Sequence, residues 1–340
     1  MAASESNPAP RRRPTIHDIA TAAGVSKPTV SRALNGHPDV NAVTRQRVLD
    51  VAAELGYVPS AGARALRTGR HGAIGLLMPQ QTWWGFGETQ YGIAQEADRR
   101  QLHLLVQPPL TGPEAEKEFV TRILPALPID GLILLMPEGM LRHVGDLARS
   151  GMPVIVIDDR ATRPGIPYVG TTNREGVREA VGHLVARGRR RIAFVGAQME
   201  AAFAQARFEG YLDGLREAGI PYAPELVALE EGAVIDPDPA GVAAVLDAEP
   251  DAVVTAWDEI AFAVLNAAHI RALRVPDDIA VVGFDDNPVA RVTYPPLTTV
   301  RQPLREMGEA AVRMLLDSLD NGSGPGNVSV PTRLVVRESS

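Results

Sequence analysis

Residues 15–36 read TIHDIATAAGVSKPTVSRALNG, and their punctuation predicts two short helices joined by a tight turn. Thr15 is placed to cap the first helix, with Asp18 three residues on completing a partial capping box and suiting the positive helix end. Ile16, Ile19, Ala20 and Ala23 then recur at helical spacing. Gly24 stops that helix cheaply because it tolerates positive φ. Only Val25 separates it from Ser26, whose hydroxyl can cap the next helix. Pro28 falls in the first turn of that helix, where a missing N–H costs nothing. Val30, Ala33 and Leu34 supply its apolar face, and Asn35-Gly36 ends it. A third helix is predicted to start near Asn41 or Thr44, to bury Val48, Val51, Ala52 and Leu55, and to end at Gly56.

Three short helices with a glycine turn between the first two form a helix-turn-helix unit, expected over residues 14–58. Bundles of this size also serve as protein-interaction modules, so the composition of the second helix matters. Its outward positions are Lys27, Thr29, Ser31 and Arg32, all able to hydrogen-bond to phosphates or base edges. The formal charge of −7 is unevenly spread. Residues 11–70 hold ten Lys/Arg against four Asp/Glu, whereas residues 71–340 hold 24 against 36. A basic module that meets phosphate, carried by an acidic body that does not, is the expected arrangement. Residues 1–13, rich in Ala, Ser and Pro and ending in Arg11, Arg12 and Arg13, read as a disordered arm.

From Gly72 the pattern changes to short apolar runs spaced by helical stretches: AIGLLMP, LHLLVQ, GLILLMP, PVIVIDD, RIAFVG, AVVTAW and IAVVGFDD. That alternation argues for parallel sheet covered on both faces. Such units continue through residues 72–340, more than one ordinary domain, which makes two lobes the natural reading. Open α/β sheets bind ligands at the carboxyl ends of their strands. Acids stand at such ends here: Asp158 and Asp159 with Arg160 after PVIVI, Asp258 after AVVTAW, and Asp285 with Asp286 after IAVVGF. Each could accept a hydrogen bond from a ligand hydroxyl, and a single one is more often a helix cap or surface turn.

The stretch from Thr15 to Gly36, followed by VLDVAAELGYVPSAGARALRTGR over residues 48–70, resembles the headpiece of the lactose-repressor (LacI/GalR) family. The resemblance extends over the chain from Thr15 onward. It implies a transcription regulator in which the second helix enters the major groove of a palindromic double-stranded operator. The residues it marks for DNA are Thr15, Ser26, Lys27, Pro28, Thr29, Ser31, Arg32 and Asn35. Arg32 is the preferred guanine reader, since a guanidinium can bond O6 and N7 together. Residues 59–71 would fold as a hinge helix, with Leu66 as a wedge in the minor groove and Arg67 beside it near the phosphates.

For the body, the resemblance implies a periplasmic-binding-protein-like core. One lobe would span about 72–169 and 298–327, the other about 170–297 and 328–340, with crossovers near Gly170, Leu297 and Val328. A small-molecule effector, expected to be a sugar, would sit between the lobes against Asp158, Arg207 and Asp285. Two departures stand out: Trp257 where many sugar-binding members carry asparagine, and Trp83, Trp84 and Phe86 near the first strand. Trp84, Phe86 and Trp257 are therefore candidate effector contacts, because aromatic faces stack on sugar C–H faces or nucleobases. Core packing or a dimer contact is the competing reading for the Trp83, Trp84 and Phe86 stretch. A homodimer is expected, since two-fold symmetric headpieces read palindromic half-sites. Repression is the expected outcome, and dimer rather than tetramer the simpler assembly.

Catalysis finds little support. The seven histidines form no HExxH or other close ligand pair, and GxSxG, Walker A and GxGxxG loops are missing. Cysteine is absent, removing disulfides and thiolate chemistry together. Neither an enzyme nor a cofactor or metal is expected. No apolar run approaches a membrane span and no secretory leader is read, so a cytoplasmic, nucleoid-associated protein is the expectation. Other readings use the same core for a non-sugar ligand, a partner protein or solute delivery.

Overall fold

The computed structural model describes residues 14–58, 65, 68–79, 84–136, 143, 146–147, 151–157, 167–197, 202–230, 239–322 and 326–340. The expected arm, 1–13, and most of the expected hinge helix, 59–64 and 66–67, lie outside the described residues. The chain divides into two compact units between His71 and Gly72.

The first unit carries α1 (Ile16–Ala23), α2 (Lys27–Leu34) and α3 (Ala42–Glu54). The capping box at α1 is complete: the Thr15 hydroxyl accepts from the Asp18 amide, and the Asp18 carboxylate accepts from the Thr15 amide at 2.8 Å. Gly24 follows α1 at φ 63° and ψ 37°, left-handed backbone that a β-carbon would strain. Ser26 caps α2, and Asn41 caps α3 by accepting from the Thr44 amide. Ile19, Val30 and Val48 are fully buried where the three helices meet, with Ala20, Ala23, Ala33, Val40 and Ala52 around them. Leu55, expected inside, is 39% exposed. It sits at the C-cap of α3, past the last turn, and Tyr57 packs against the core instead.

The second unit is built on two six-stranded sheets. The first carries β1 (Ala73–Leu77), β2 (His103–Gln107), β3 (Gly131–Leu135), β4 (Val154–Ile157), β5 (Tyr168–Thr171) and β11 (Val328–Val330) in the order β11-β5-β4-β3-β1-β2. The second carries β6 (Ile192–Ala197), β7 (Val227–Glu230), β8 (Ala252–Thr255), β9 (Ala280–Asp285), β10 (Thr298–Arg301) and β12 (Arg333–Val335) in the order β12-β10-β9-β8-β6-β7. All pairings are parallel except β10 with β12. β1, β3, β8 and β9 are buried at every residue, which is why they read as unbroken apolar runs rather than alternating ones.

The helices α4 (Gly85–Arg99), α5 (Pro113–Glu118) and α10 (Leu304–Asn321) belong to the first lobe. Met307, Ala311 and Leu315 of α10 join Ile93 of α4 in a core on one face of the first sheet, while Phe119 and Leu124 cover the other. In the second lobe, α6 (Asn173–Ala186), α7 (Ala202–Glu217), α8 (Pro239–Asp247) and α9 (Asp258–Ile270) enclose one continuous core containing Phe194, Tyr211 and Phe284.

The chain passes between the lobes three times, at positions that correct the expected boundaries. β10, expected in the first lobe from residue 298, pairs in register with β9 of the second, and the crossing follows at Gln302-Pro303. β11, expected in the second lobe from residue 328, pairs with β5 of the first, and the crossing follows at Pro331-Thr332. β5 itself runs to Thr171 before the first crossing. In each case a strand of only three or four residues completes its own sheet before the chain leaves it.

Candidate functional site

Two groups of side chains carry the candidate chemistry, one in each compact unit. In the first, α2 begins at Ser26, whose hydroxyl accepts from the Thr29 amide at 3.3 Å and pairs with the Thr29 hydroxyl at 2.8 Å. Those two polar groups hold the helix start. At the other end the Asn35 side-chain amide donates to the Ser31 carbonyl at 2.5 Å, closing the last turn. Thr15 is likewise engaged, since its hydroxyl donates to Asp18 at 2.8 Å. Lys27, Pro28 and Arg32 point away from the headpiece core, and neither cation has an ion-pair partner among the described residues. The first turn of α2 has no acid, so the helix dipole presents uncompensated positive character beside Lys27. Leu66 and Arg67, the expected minor-groove pair, lie outside the described residues.

In the second unit the candidates gather where β9 ends. Arg207 of α7, a residue type that favours solvent, is 2% exposed. Its Nε donates to Asn173 Oδ1 at 2.9 Å, Nη1 donates to the Ala256 carbonyl at 2.6 Å, and Nη2 stands 3.5 Å from Asp285 Oδ1. Its guanidinium carbon lies 3.7 Å from the centre of the Phe284 ring. Asp285, the last residue of β9, accepts from Gln302 Nε2 at 2.6 Å and is 3% exposed. Carboxylate, guanidinium, amide and aromatic face therefore meet at one strand end, a set that can both donate to and accept from a polyhydroxylated ligand.

The other strand-end acids have different work. Asp258 is fully buried and both its oxygens are committed: Oδ1 accepts from the Thr299 hydroxyl at 2.6 Å and Oδ2 from the Asn287 amide at 2.6 Å. Burial, and then the nearby Asp285 charge, push its carboxyl well above the ordinary range. Gly283 makes room for it, since a β-carbon there would fall 2.1 Å from Asp258 Oδ1. Asp286 is also buried, bonded to Arg301 Nε at 2.5 Å and Arg337 Nη2 at 2.5 Å, with Arg291 at 3.9 Å. The expectation that Asp258 and Asp286 offer hydrogen bonds to a ligand is corrected: both are struts inside the second lobe. Asp158, Asp159, Arg160 and Trp83 lie outside the described residues.

Trp257 is half-buried against the second-lobe core, and its carbonyl accepts from the Thr255 hydroxyl at 2.9 Å. Trp84 is half-buried against the first-lobe core at the start of α4, and Phe86 is buried within that core. Gln302, Asn173 and Thr171 are drawn to the same strand end, and residue type alone does not mark them. Gln302 stands in VRQP after a short strand, and a polar residue at a strand end is its only signal. Among the described residues no three His, Asp or Glu side chains converge as metal ligands, and no helix is long and apolar enough to cross a membrane.

Comparison with known proteins is consistent with this layout. A family profile described as bacterial regulatory proteins, lacI family, matches residues 15–60, and one described as a periplasmic binding protein-like domain matches residues 181–340. The chain is 33% identical to the HTH-type transcriptional regulator CelR of Thermobifida fusca, over 97% of this chain and 99% of that protein. It is 30% identical to catabolite control protein A of Priestia megaterium, over 96% and 99%. Among solved structures, the Lac repressor dimer bound to operator and the anti-inducer ONPF superposes with a TM-score of 0.81 at 29% identity, covering 96% of this chain and 99% of that one. The CelR–cellobiose complex superposes with a TM-score of 0.70 at 30% identity, covering 96% and 100%.

Proposed function

The chain belongs to the LacI family of bacterial transcriptional regulators, and we propose that it is a dimeric repressor whose operator affinity is set by a sugar-like effector held at Asp285. The observation that carries the effector reading is the buried Arg207–Asp285–Gln302 cluster. A buried charge pair costs desolvation energy, and one held at the end of a strand beside an amide and an aromatic face is suited to a hydroxylated ligand. The half-buried rings of Trp84 and Trp257 would add apolar faces for sugar C–H groups. Asp158 would add a further polar contact.

On the DNA side, α2 would lie in the major groove with Arg32 bidentate to a guanine, Lys27 on a phosphate or base edge, and Pro28 in apolar contact. Ser26, Thr29 and Ser31 would supply shorter hydrogen bonds, Thr15 and Asn35 would flank them, and Leu66 with Arg67 would engage the minor groove. Two copies are needed to read two half-sites. Support for pairing comes from a surface segment after β9 on which Val289 is 48%, Val292 78% and Tyr294 97% exposed. An apolar cluster of that kind on a soluble chain is suited to covering by a second copy. Effector and operator then compete through one conformational equilibrium, with a coupling of about 1–3 kcal/mol expected for such regulators.

A thermal-shift screen of sugars and sugar phosphates against the full chain tests the effector reading. A ligand at about 100 times its Kd stabilises the native state by roughly 2.7 kcal/mol, and Asp285→Asn should abolish the shift. A hit that stabilises parent and Asp285→Asn equally removes Asp285 from the reading.

A further inference from the structure

We infer that Gln302 is the side chain that keys the resting arrangement of the two lobes to the effector carboxylate. The inference rests on reading Asp285 as that carboxylate. β9 ends at Asp285, followed by Asp286, and its neighbour β10 ends at Arg301, followed by Gln302, with Arg301 opposite Asp285 in the ladder. Successive side chains leave a strand end in different directions, so the two dipeptides match crosswise. Gln302 Nε2 donates to Asp285 Oδ1 at 2.6 Å, and Arg301 Nε donates to Asp286 Oδ2 at 2.5 Å. Asp285 and Asp286 both hold positive φ, 117° and 59°, backbone that non-glycine residues keep only where the surroundings impose it.

Gln302 is also the first residue of the second crossing between lobes, and it is 5% exposed. Its Oε1 accepts from the Thr171 hydroxyl at 3.4 Å, and Thr171 ends β5 at the first crossing. The next residue, Thr172, pairs its hydroxyl with that of Thr332 at 2.9 Å and accepts from the Thr332 amide at 2.8 Å, at the third crossing. The three crossings thus lie side by side in one hydrogen-bonded chain, and Gln302 is the member joined to the carboxylate. An effector hydroxyl donating to Asp285 Oδ1 must share that oxygen with Gln302 Nε2 and with Arg207, already 3.5 Å away. Asp286, clamped by Arg301 and Arg337, keeps the strand end fixed. A change at Asp285 is then passed to the crossing and not absorbed by β9.

The test needs no effector. The chain contains no cysteine, so Asp98→Cys on exposed α4 and Asn266→Cys on exposed α9 can be spin-labelled specifically, one in each lobe. Labelled full-length chain, diluted into excess unlabelled chain, reports the distance between lobes by pulsed electron paramagnetic resonance. In Gln302→Leu the ratio of lobe arrangements should change about tenfold, the worth of one hydrogen bond to a charged group, seen as a displaced or broadened distribution. Thr171→Val should move it in the same direction by less, its bond being longer and uncharged. A Gln302→Leu distribution superimposable on the parent, with only the unfolding temperature lowered, would reduce Gln302 to a packing role. If Gln302→Leu does not fold, an unchanged distribution in Thr171→Val overturns the inference equally. Failure of the effector reading itself shows separately, as a ligand response that survives Asp285→Asn while the distances still depend on Gln302.

Discussion

Replacing Arg207 by methionine removes a guanidinium but keeps an unbranched side chain in the same buried space. At 3.5 Å, two unit charges attract by about 5 kcal/mol at an effective dielectric constant near 20. Arg207 also gives bonds to Asn173 and Ala256, which the variant loses, and its removal leaves Asp285 facing the buried Asp258 without that guanidinium. Removing one partner of such a pair costs about 3–5 kcal/mol. Asp285→Asn keeps an acceptor for Gln302 and should cost less, about 1–2 kcal/mol. Once Arg207 is gone the Asp285 charge is a liability, so adding Asp285→Asn to Arg207→Met should recover about 2 kcal/mol, a clear departure from additivity. Urea unfolding followed by tryptophan fluorescence reads this selectively, because Trp83, Trp84 and Trp257 all lie in residues 72–340. Costs that add within about 0.5 kcal/mol would show that Arg207 and Asp285 do not interact, and the candidate effector site would lose its charge pair.

Other outcomes follow from the same contacts. Asp258 has a raised carboxyl pKa from burial and from Asp285, so the folded state holds its proton above pH 3.8, where the unfolded chain releases it. The stability this lends is full below pH 3.8 and is lost as pH rises through the folded pKa. Asp258→Asn, which is neutral at every pH and keeps an oxygen to accept from the Asn287 amide, should therefore gain on the parent as pH rises from about 4 toward 7; parallel pH profiles would contradict the raised pKa. Gly283→Ala forces a β-carbon to within 2.1 Å of Asp258 Oδ1 and should cost about 3 kcal/mol of core stability by urea midpoint. An unchanged midpoint there would refute the close packing. Tyr294→Asp places a charge on the 97%-exposed apolar position and should weaken self-association about 30-fold or more by sedimentation. Unaltered sedimentation would move the dimer contact elsewhere.

Local signals are readable in the chain and distant ones are not. Thr15, Asp18, Gly24 and Ser26 each act on residues within a few positions of themselves, so helix starts and stops at the headpiece can be placed from the sequence. Six of the seven apolar runs stand out because parallel strands buried on both faces carry no alternation to confuse with a helix face, while β2 is an exposed edge strand. β10 and β11 have no such signature, because strands of four and three residues are defined by partners far along the chain. The acids make the same point. Asp258 and Asp285 share one signature, a carboxylate at a strand end, yet Thr299, 41 residues from Asp258, turns it into a strut. Asp285 meets Arg207 and Gln302 instead. Nothing in the local sequence distinguishes the two.

Operator recognition depends first on α2 reading bases in a duplex. Selection from random-sequence DNA with the full-length chain, at a fixed moderate ionic strength, measures this with no operator supplied in advance. The parent should enrich a two-fold symmetric sequence, and Arg32→Ala should lose preference at one position of each half-site at a cost of roughly 1–3 kcal/mol. Failure of the parent to enrich any sequence, or an Arg32→Ala chain that selects the identical motif, would contradict it.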